Sequence, residues 1–151
     1  MTAQSLITDF MRRAIGTKSA ALTTEIEKGA IRKFAEASGD PNPLYRDEAA
    51  ARHSRYGGIT APPNFLRSVA TEWVEPPLGS SFEHALGGGS EWEYFEPIRP
   101  GDRITTVTHL ADLTERTSKA IGQMLIVTYE VTYTNQLGQV VAKQRTVVFR
   151  Y

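Results

Sequence analysis

Cysteine is absent from the 151 residues, which excludes disulfides and thiolate-held metals. Histidine is scarce. His53, His84 and His109 stand far apart with no metal-ligand spacing, so neither a metal centre nor any other cofactor is expected. Net charge is missing as well: 17 Lys and Arg offset 17 Asp and Glu, so no nucleic-acid or other polyanionic partner is implied. No apolar run approaches the ~20 residues of a membrane span and no signal-peptide pattern is visible. The expectation is a soluble cytoplasmic domain with no membrane partner. There is no internal repeat and no low-complexity tract. Gly87-Gly88-Gly89 reads as a loop, and it lacks the Lys and Ser/Thr that a phosphate-cradling P-loop needs. The length suits one domain over 1–151, long enough to bury roughly 70% of the surface of its unfolded chain.

What is present divides into a helical first half and a stranded second half. Leu6, Ile7, Phe10 and Met11 recur at helical spacing, which predicts a short amphipathic helix over 4–14. Residues 16–24 read as a linker. Ala30, Ile31, Phe34 and Ala35 share one face of a helix over 27–38. A short helix over 47–53 follows. Phe65, Leu66, Val69, Ala70, Trp73 and Val74 form the broadest apolar helical stripe, ended by Pro76-Pro77, and predict a central, mostly buried helix. From Ser90 the period becomes two. Trp92 and Tyr94 alternate with Glu91 and Glu93 and read as sheet packing; strands are predicted over 104–113, 125–133 and 140–150, the last two joined by the Asn135–Gly138 hairpin turn. Helices first and antiparallel strands later make the class α+β.

The stretch with the most chemistry runs from Phe34 to Ala50. Gly39 can adopt φ > 0 and stop the preceding helix. Pro41 and Pro43 fix their own φ angles and push Asp40 and Asn42 out of the α region. Two polar side chains thus stand on a stiff turn with little entropy left to lose. Asp47 and Glu48 then open the next helix near its positive end. A second punctuated loop runs from Tyr56 to Asn64, where Pro63 suits the first turn of a helix because its missing N–H is no loss there.

Gly39, Asp40, Asn42, Pro43, Leu44, Asp47, Ala49 and Ala50 together resemble the Gly-Asp-x-Asn-Pro-aliphatic-His motif of the MaoC-like (R)-specific enoyl-CoA hydratases and hydroxyacyl dehydratases. The likeness covers nearly the whole chain, including residues 57–65, Gly89 to Asp102 and Tyr133-Thr134-Asn135, and is closest to the N-terminal-type domain of that family. It implies a hot-dog fold, a curved antiparallel sheet wrapped around a central helix, with extra N-terminal helices. It also implies an acyl-CoA or acyl-carrier-protein thioester as ligand. Members commonly pair edge to edge, so the expected partner is a second copy or a catalytic MaoC-like subunit, with the Asp40–Tyr45 loop facing the partner.

In the family a His and an Asp form the catalytic pair, and a Gly N–H holds the thioester oxygen as it becomes enolate-like. Carried over by position, Asp40, Asn42 and Tyr45 occupy the catalytic site, and Tyr56, Gly58, Pro63 and Asn64 the substrate-binding one. Tyr45 stands where the His belongs and Pro63 where the Gly belongs. Tyrosine, with a pKa near 10, is a poor base at neutral pH, and proline has no N–H to offer an oxyanion. Read from the residues alone, Asp40 equally suits a loop cap bonded to backbone N–H groups, Asn42 a structural role and Tyr45 a packing residue.

Three readings follow. The chain is the substrate-accommodating half of a hydratase–dehydratase that needs a catalytic partner; or it is a self-sufficient hot-dog hydratase or thioesterase using Asp40; or it is a non-catalytic acyl-CoA-binding module.

Overall fold

The computed structural model describes residues 4–151. Five strands form one antiparallel sheet: β1 (Leu22–Glu25), β2 (Ala85–Tyr94), β3 (Arg103–Ser118), β4 (Gly122–Thr134) and β5 (Val140–Arg150), in the order β1-β3-β4-β5-β2. Three short α-helices precede most of it: α1 (Asp9–Ala14), α2 (Lys28–Ala37) and α3 (Glu48–Arg52). The architecture is α+β, as the change of period indicates.

The long strands follow the alternation of their sequences. In β4, Leu125, Val127, Tyr129, Val131 and Tyr133 are all buried on one face. In β3, Ile104, Thr106, Thr108 and Leu110 are buried, and then the register shifts between Leu110 and Asp112. That bulge resets the phase, so Leu113 is buried three residues after Leu110 rather than two. The inner face carries two apolar clusters. One gathers Ile26, Ile31, Leu66, Ile104, Tyr133 and Val141 beneath α2. The other gathers Ile7, Met11, Val74, Leu78, Phe82, Leu110 and Leu125 beneath α1.

The predicted central helix over 65–74 is not there. Its first part is a 3₁₀ helix, Pro63–Ser68, with Pro63 in the first turn as the sequence suggests, and Val69 is already extended. The apolar stripe has two destinations: Phe65, Leu66 and Val69 join the first cluster, whereas Val74 joins the second. A helix would advance roughly 7.5 Å between Val69 and Val74, and an extended chain roughly 16 Å. Only the extended form reaches far across the sheet. The sheet also claims the backbone, since the buried Thr106 hydroxyl donates to the Ala70 carbonyl at 2.9 Å, the group a helix would have used itself. Trp73, placed on the buried stripe by its spacing, is 61% exposed and meets Tyr129 edge-on at 5.2 Å.

Three smaller expectations also change. The end of the linker is the start of β1, an edge strand paired to β3 through Leu22↔Thr106. The first helix begins at Asp9, because the Thr8 side chain accepts from Met11 N–H and caps it there. The three glycines lie inside β2, not in a loop. The register shifts between Gly87 and Gly89, and a Cβ on Gly88 would stand 2.7 Å from the Phe149 ring. Glycine is required there by a bulge and a close approach.

Candidate functional site

The loop after α2 is built from local hydrogen bonds. Gly39, at φ 70°, ends the helix. Its N–H donates to Glu36 C=O and the Asp40 N–H to Ala35 C=O, at 3.1 and 2.9 Å, which satisfies the last helical carbonyls. Asp40 Oδ1 accepts from Asn42 N–H at 3.0 Å, and Asn42 Oδ1 accepts from Leu44 N–H at 3.0 Å. Two successive side-chain turns thereby carry the chain into a 3₁₀ turn, Pro43–Tyr45. Asn42 itself is extended, at φ −59° and ψ 118°, as its position before Pro43 dictates. Asp47 Oδ1 accepts from Ala50 N–H and caps α3. Both Asp40 and Asn42 therefore have structural work in the loop.

Tyr45, close to both of these side chains, lines a cavity of about 430 Å³ together with Tyr56, Pro63, Tyr94 and Ile98. Burial holds the Tyr45 phenol above its ordinary 10.0; the Asp40 carboxylate adds to this, the Asn42 side chain opposes it, and Tyr56 contributes last. The group is a neutral hydroxyl at pH 7, able to donate or accept a hydrogen bond but not to take a proton from carbon. Tyr56 is oriented at both ends: its hydroxyl accepts from Arg55 Nη2 at 2.6 Å, and its carbonyl accepts from Arg99 Nη1 at 2.7 Å. Arg99 is placed in turn by Asp102, whose buried carboxylate accepts from Arg99 N–H and from Gln136 Nε2, each at 2.9 Å.

A second space, of about 310 Å³, lies between the 67–73 segment and the sheet. Arg67, Val69 and Trp73 form its roof, and Trp92, Thr108 and Tyr133 are part of its floor. Trp92 stacks on Tyr94 with ring centroids 5.9 Å apart and meets Tyr133 at a tilt with centroids 5.5 Å apart. Tyr94 lines the first cavity and Trp92 the second, so this stack joins the two spaces.

Of the seven residues assigned from sequence, the structure brings Tyr45, Tyr56 and Pro63 to one cavity. Asp40 and Asn42 stand on the loop behind it, Gly58 is half-buried outside its lining, and Asn64 is exposed. Thr60, Tyr94 and the groove residues were missed as site residues. Trp92 and Tyr94 had a signal, two aromatics on one face of a strand, which read as sheet packing; they pack and line the cavities at once. Among the described residues no group of three His, Asp or Glu side chains could hold a metal ion, and no helix is long and apolar enough to cross a membrane.

Residues 13–144 match the family described as FAS1-like, dehydratase domain region. The chain belongs to this MaoC-like dehydratase family. A probable enoyl-CoA hydratase alpha subunit from Thermomonospora curvata is 33% identical over 138 residues, which are 80% of this chain and 43% of that protein. The crystal structure of a MaoC-like dehydratase from Rhodospirillum rubrum superposes with a TM-score of 0.69 at 33% identity, over 91% of this chain and 94% of that one. The ChsH1-ChsH2 complex from Mycobacterium tuberculosis gives a TM-score of 0.80 at 19% identity, over 95% and 89%, a likeness of fold alone. The chain spans 63% or less of the length of several other curated relatives, all UPF0336 proteins. The hot-dog fold of these dehydratases is thus the fold of this chain, though here the central element is the short 3₁₀ helix Pro63–Ser68 and an extended crossing.

Proposed function

We propose that this chain is the acyl-accommodating half of a hydratase–dehydratase acting on enoyl-CoA or 3-hydroxyacyl thioesters, and that a partner subunit supplies the base. The observation that carries this reading is the pairing of Tyr45 and Pro63 in one cavity. Family members use a His and a Gly N–H at the matching positions, so both departures meet at one reacting centre. Removing a general base typically costs roughly 10²–10⁴ in rate, and removing one oxyanion donor roughly 10²–10³. Meanwhile the part of the fold that would hold an acyl chain is intact and open, because the extended 69–74 crossing leaves the groove over β2–β5.

The partner docks, in this reading, along β2. That strand ends the sheet, ten residues long, with its outer edge unpaired among the described residues and most of its side chains exposed. A long bare edge invites pairing with another sheet. The name of the Thermomonospora curvata relative, an alpha subunit, favours a second subunit over a second copy.

The test is hydration of crotonyl-CoA. The purified chain alone turns over poorly or not at all, and adding the catalytic subunit restores activity. Tyr45→His and Pro63→Gly each do little alone, since each leaves the other group missing. Together they gain more than the sum of the two, the behaviour of groups that act as a unit. Pro63→Gly also frees the backbone at the first position of the 3₁₀ helix and loses about 1 kcal/mol of stability, so folding is followed in parallel. Turnover of several per second by the unaided chain, abolished by Asp40→Asn, would assign the chemistry to Asp40 and refute the half-site reading. Thioester hydrolysis by the chain alone would do the same.

A further inference from the structure

Strand register lays rows of side chains across both faces of the sheet. On the inner face Trp92, Gln144, Val131 and Thr108 stand side by side. On the outer face Glu91 stands opposite Arg145 and Arg145 opposite Glu130; two residues along, Glu93 stands opposite Lys143. Lys143 and Arg145 both reach toward β4, where their cationic groups lie 3.9 and 3.7 Å from the Glu130 carboxylate. Glu91 and Glu93 are exposed and have no ion-pair partner among the described residues. The sign of charge thus alternates from strand to strand, negative on β4, positive on β5 and negative on β2. There it stops, because β2 is the edge of the sheet. Leu86 and Tyr94 on this strand, and Phe95 just after it, are among the large apolar side chains that the chain leaves exposed. Tyr94 and Phe95 also line the Tyr45 cavity, so whatever pairs with this edge stands beside that cavity.

The edge leaves a partner little freedom of register. The bulge at Gly87 to Gly89 interrupts β2, and the regular ladder runs over 89–94. A second copy of the chain fits that ladder badly. Residues directly opposite in an antiparallel pair share a face. A strand paired with its own copy about a two-fold axis therefore sets each residue against itself, or against one an even number of places away. The two registers that use most of 89–94 are centred on Glu91 or on Trp92. The first sets Glu91 against Glu91 of the other copy, and the second sets Glu91 against Glu93 twice. Like charges directly opposite destabilise a strand pair. Resting on the reading of this chain as an acyl-accommodating half whose partner docks along β2, we propose that the partner presents a strand with Lys or Arg on its outer face, so that the alternation of sign continues into a second sheet. Glu91 and Glu93 attract such a strand and repel a second copy at the same edge, which gives the edge both halves of a specificity device.

The experiment uses this chain as its own probe. Glu91→Lys combined with Glu93→Lys converts the edge into a basic strand of the kind proposed. Mixed with wild-type protein in sedimentation velocity, the double variant is expected to form a one-to-one dimer about tenfold tighter than any dimer wild type forms with itself, because opposite charges replace like ones in two cross-strand pairs. Glu91→Lys alone makes the edge self-complementary, since position 91 of one copy then meets Glu93 of the other with opposite charge. It is expected to self-associate about tenfold more tightly than wild type. Raising the salt from about 50 mM to about 500 mM is expected to shrink both gains to within about threefold. Both positions are exposed, and the single variant keeps the test decisive if the double one fails to fold. Wild type pairing with itself as tightly as with the double variant, or Glu91→Lys self-associating no more than wild type, would overturn the inference. Either result leaves the half-site reading intact, because hydration by the unaided chain tests that reading separately.

Discussion

The loop from Gly39 to Asp47 and the crossing from Pro63 to Val74 flank the same cavity and are held in different ways. The loop is shaped by its own residues. Asp40, Asn42 and Asp47 each bond a backbone N–H two or three positions ahead, and the helix end before them closes on Gly39. The crossing has one bond to the sheet from its Ala70 carbonyl and is otherwise held by what it buries: Phe65, Leu66 and Val69 at one end, Val74 at the other. A locally bonded segment keeps its shape when its surroundings change. A segment held by packing takes whatever shape reaches its contacts, whatever its own periodicity prefers.

Substitutions should separate the two regimes. The largest effect is expected in the crossing: Leu66→Ala, at a side chain that is 0% exposed, should lose about 2–5 kcal/mol in urea unfolding. An equal loss on truncating an exposed loop residue would erase the contrast. Next comes Asp47→Ala, which removes the cap of α3 and should lose about 1 kcal/mol, with Asp47→Asn or Asp47→Ser recovering most of it. Smaller again is Thr106→Val. It strips the one polar tie to Ala70 and should lose about 0.5–1.5 kcal/mol, with the crossing kept in place by Leu66 and Val74. If Thr106→Val proved as damaging as Leu66→Ala, the crossing would be bond-held like the loop.

The mildest test is alkaline and leaves pH 7 untouched. Burial pushes the Tyr133 phenol from 10.0 up to about 12, with a further push from Tyr94. The native state holds this proton after the unfolded chain has released it. The stability contribution of neutral Tyr133 is therefore complete below pH 10 and is lost as the pH rises from about 10 to about 12. Tyr133→Phe should make the decline across that window shallower. Spectrophotometric titration should find the Tyr133 phenol, under the crossing, among the last to ionise.

Much of this was legible in the chain. Gly39, Pro41 and Pro43 restrict backbone angles whatever surrounds them, so the loop and the two helices beside it fall where their residues say, within a residue or two. The alternation of Leu125 to Tyr133 names the buried face of β4 because a strand has only two faces. The crossing was not legible. Its apolar spacing fits a helical stripe, yet the choice between helix and extended chain depends on the distance between two clusters assembled largely from other parts of the chain. The four residues of β1 were too few to carry a pattern, and the glycines of β2 look like a loop until Phe149 is seen lying against Gly88.

The candidate site divides along the same line. The proposed assignment of Tyr45 and Pro63 to the positions of a His and a Gly is read from the chain alone, by resemblance, and the expected want of a base and of an N–H there follows from side-chain chemistry. That the two positions face one cavity was settled by tertiary structure, as was the row that runs from Trp92 through Gln144 and Val131 to Thr108. Those four residues are scattered between positions 92 and 144. Only strand register, which depends on pairing partners and bulges far away in sequence, sets them side by side.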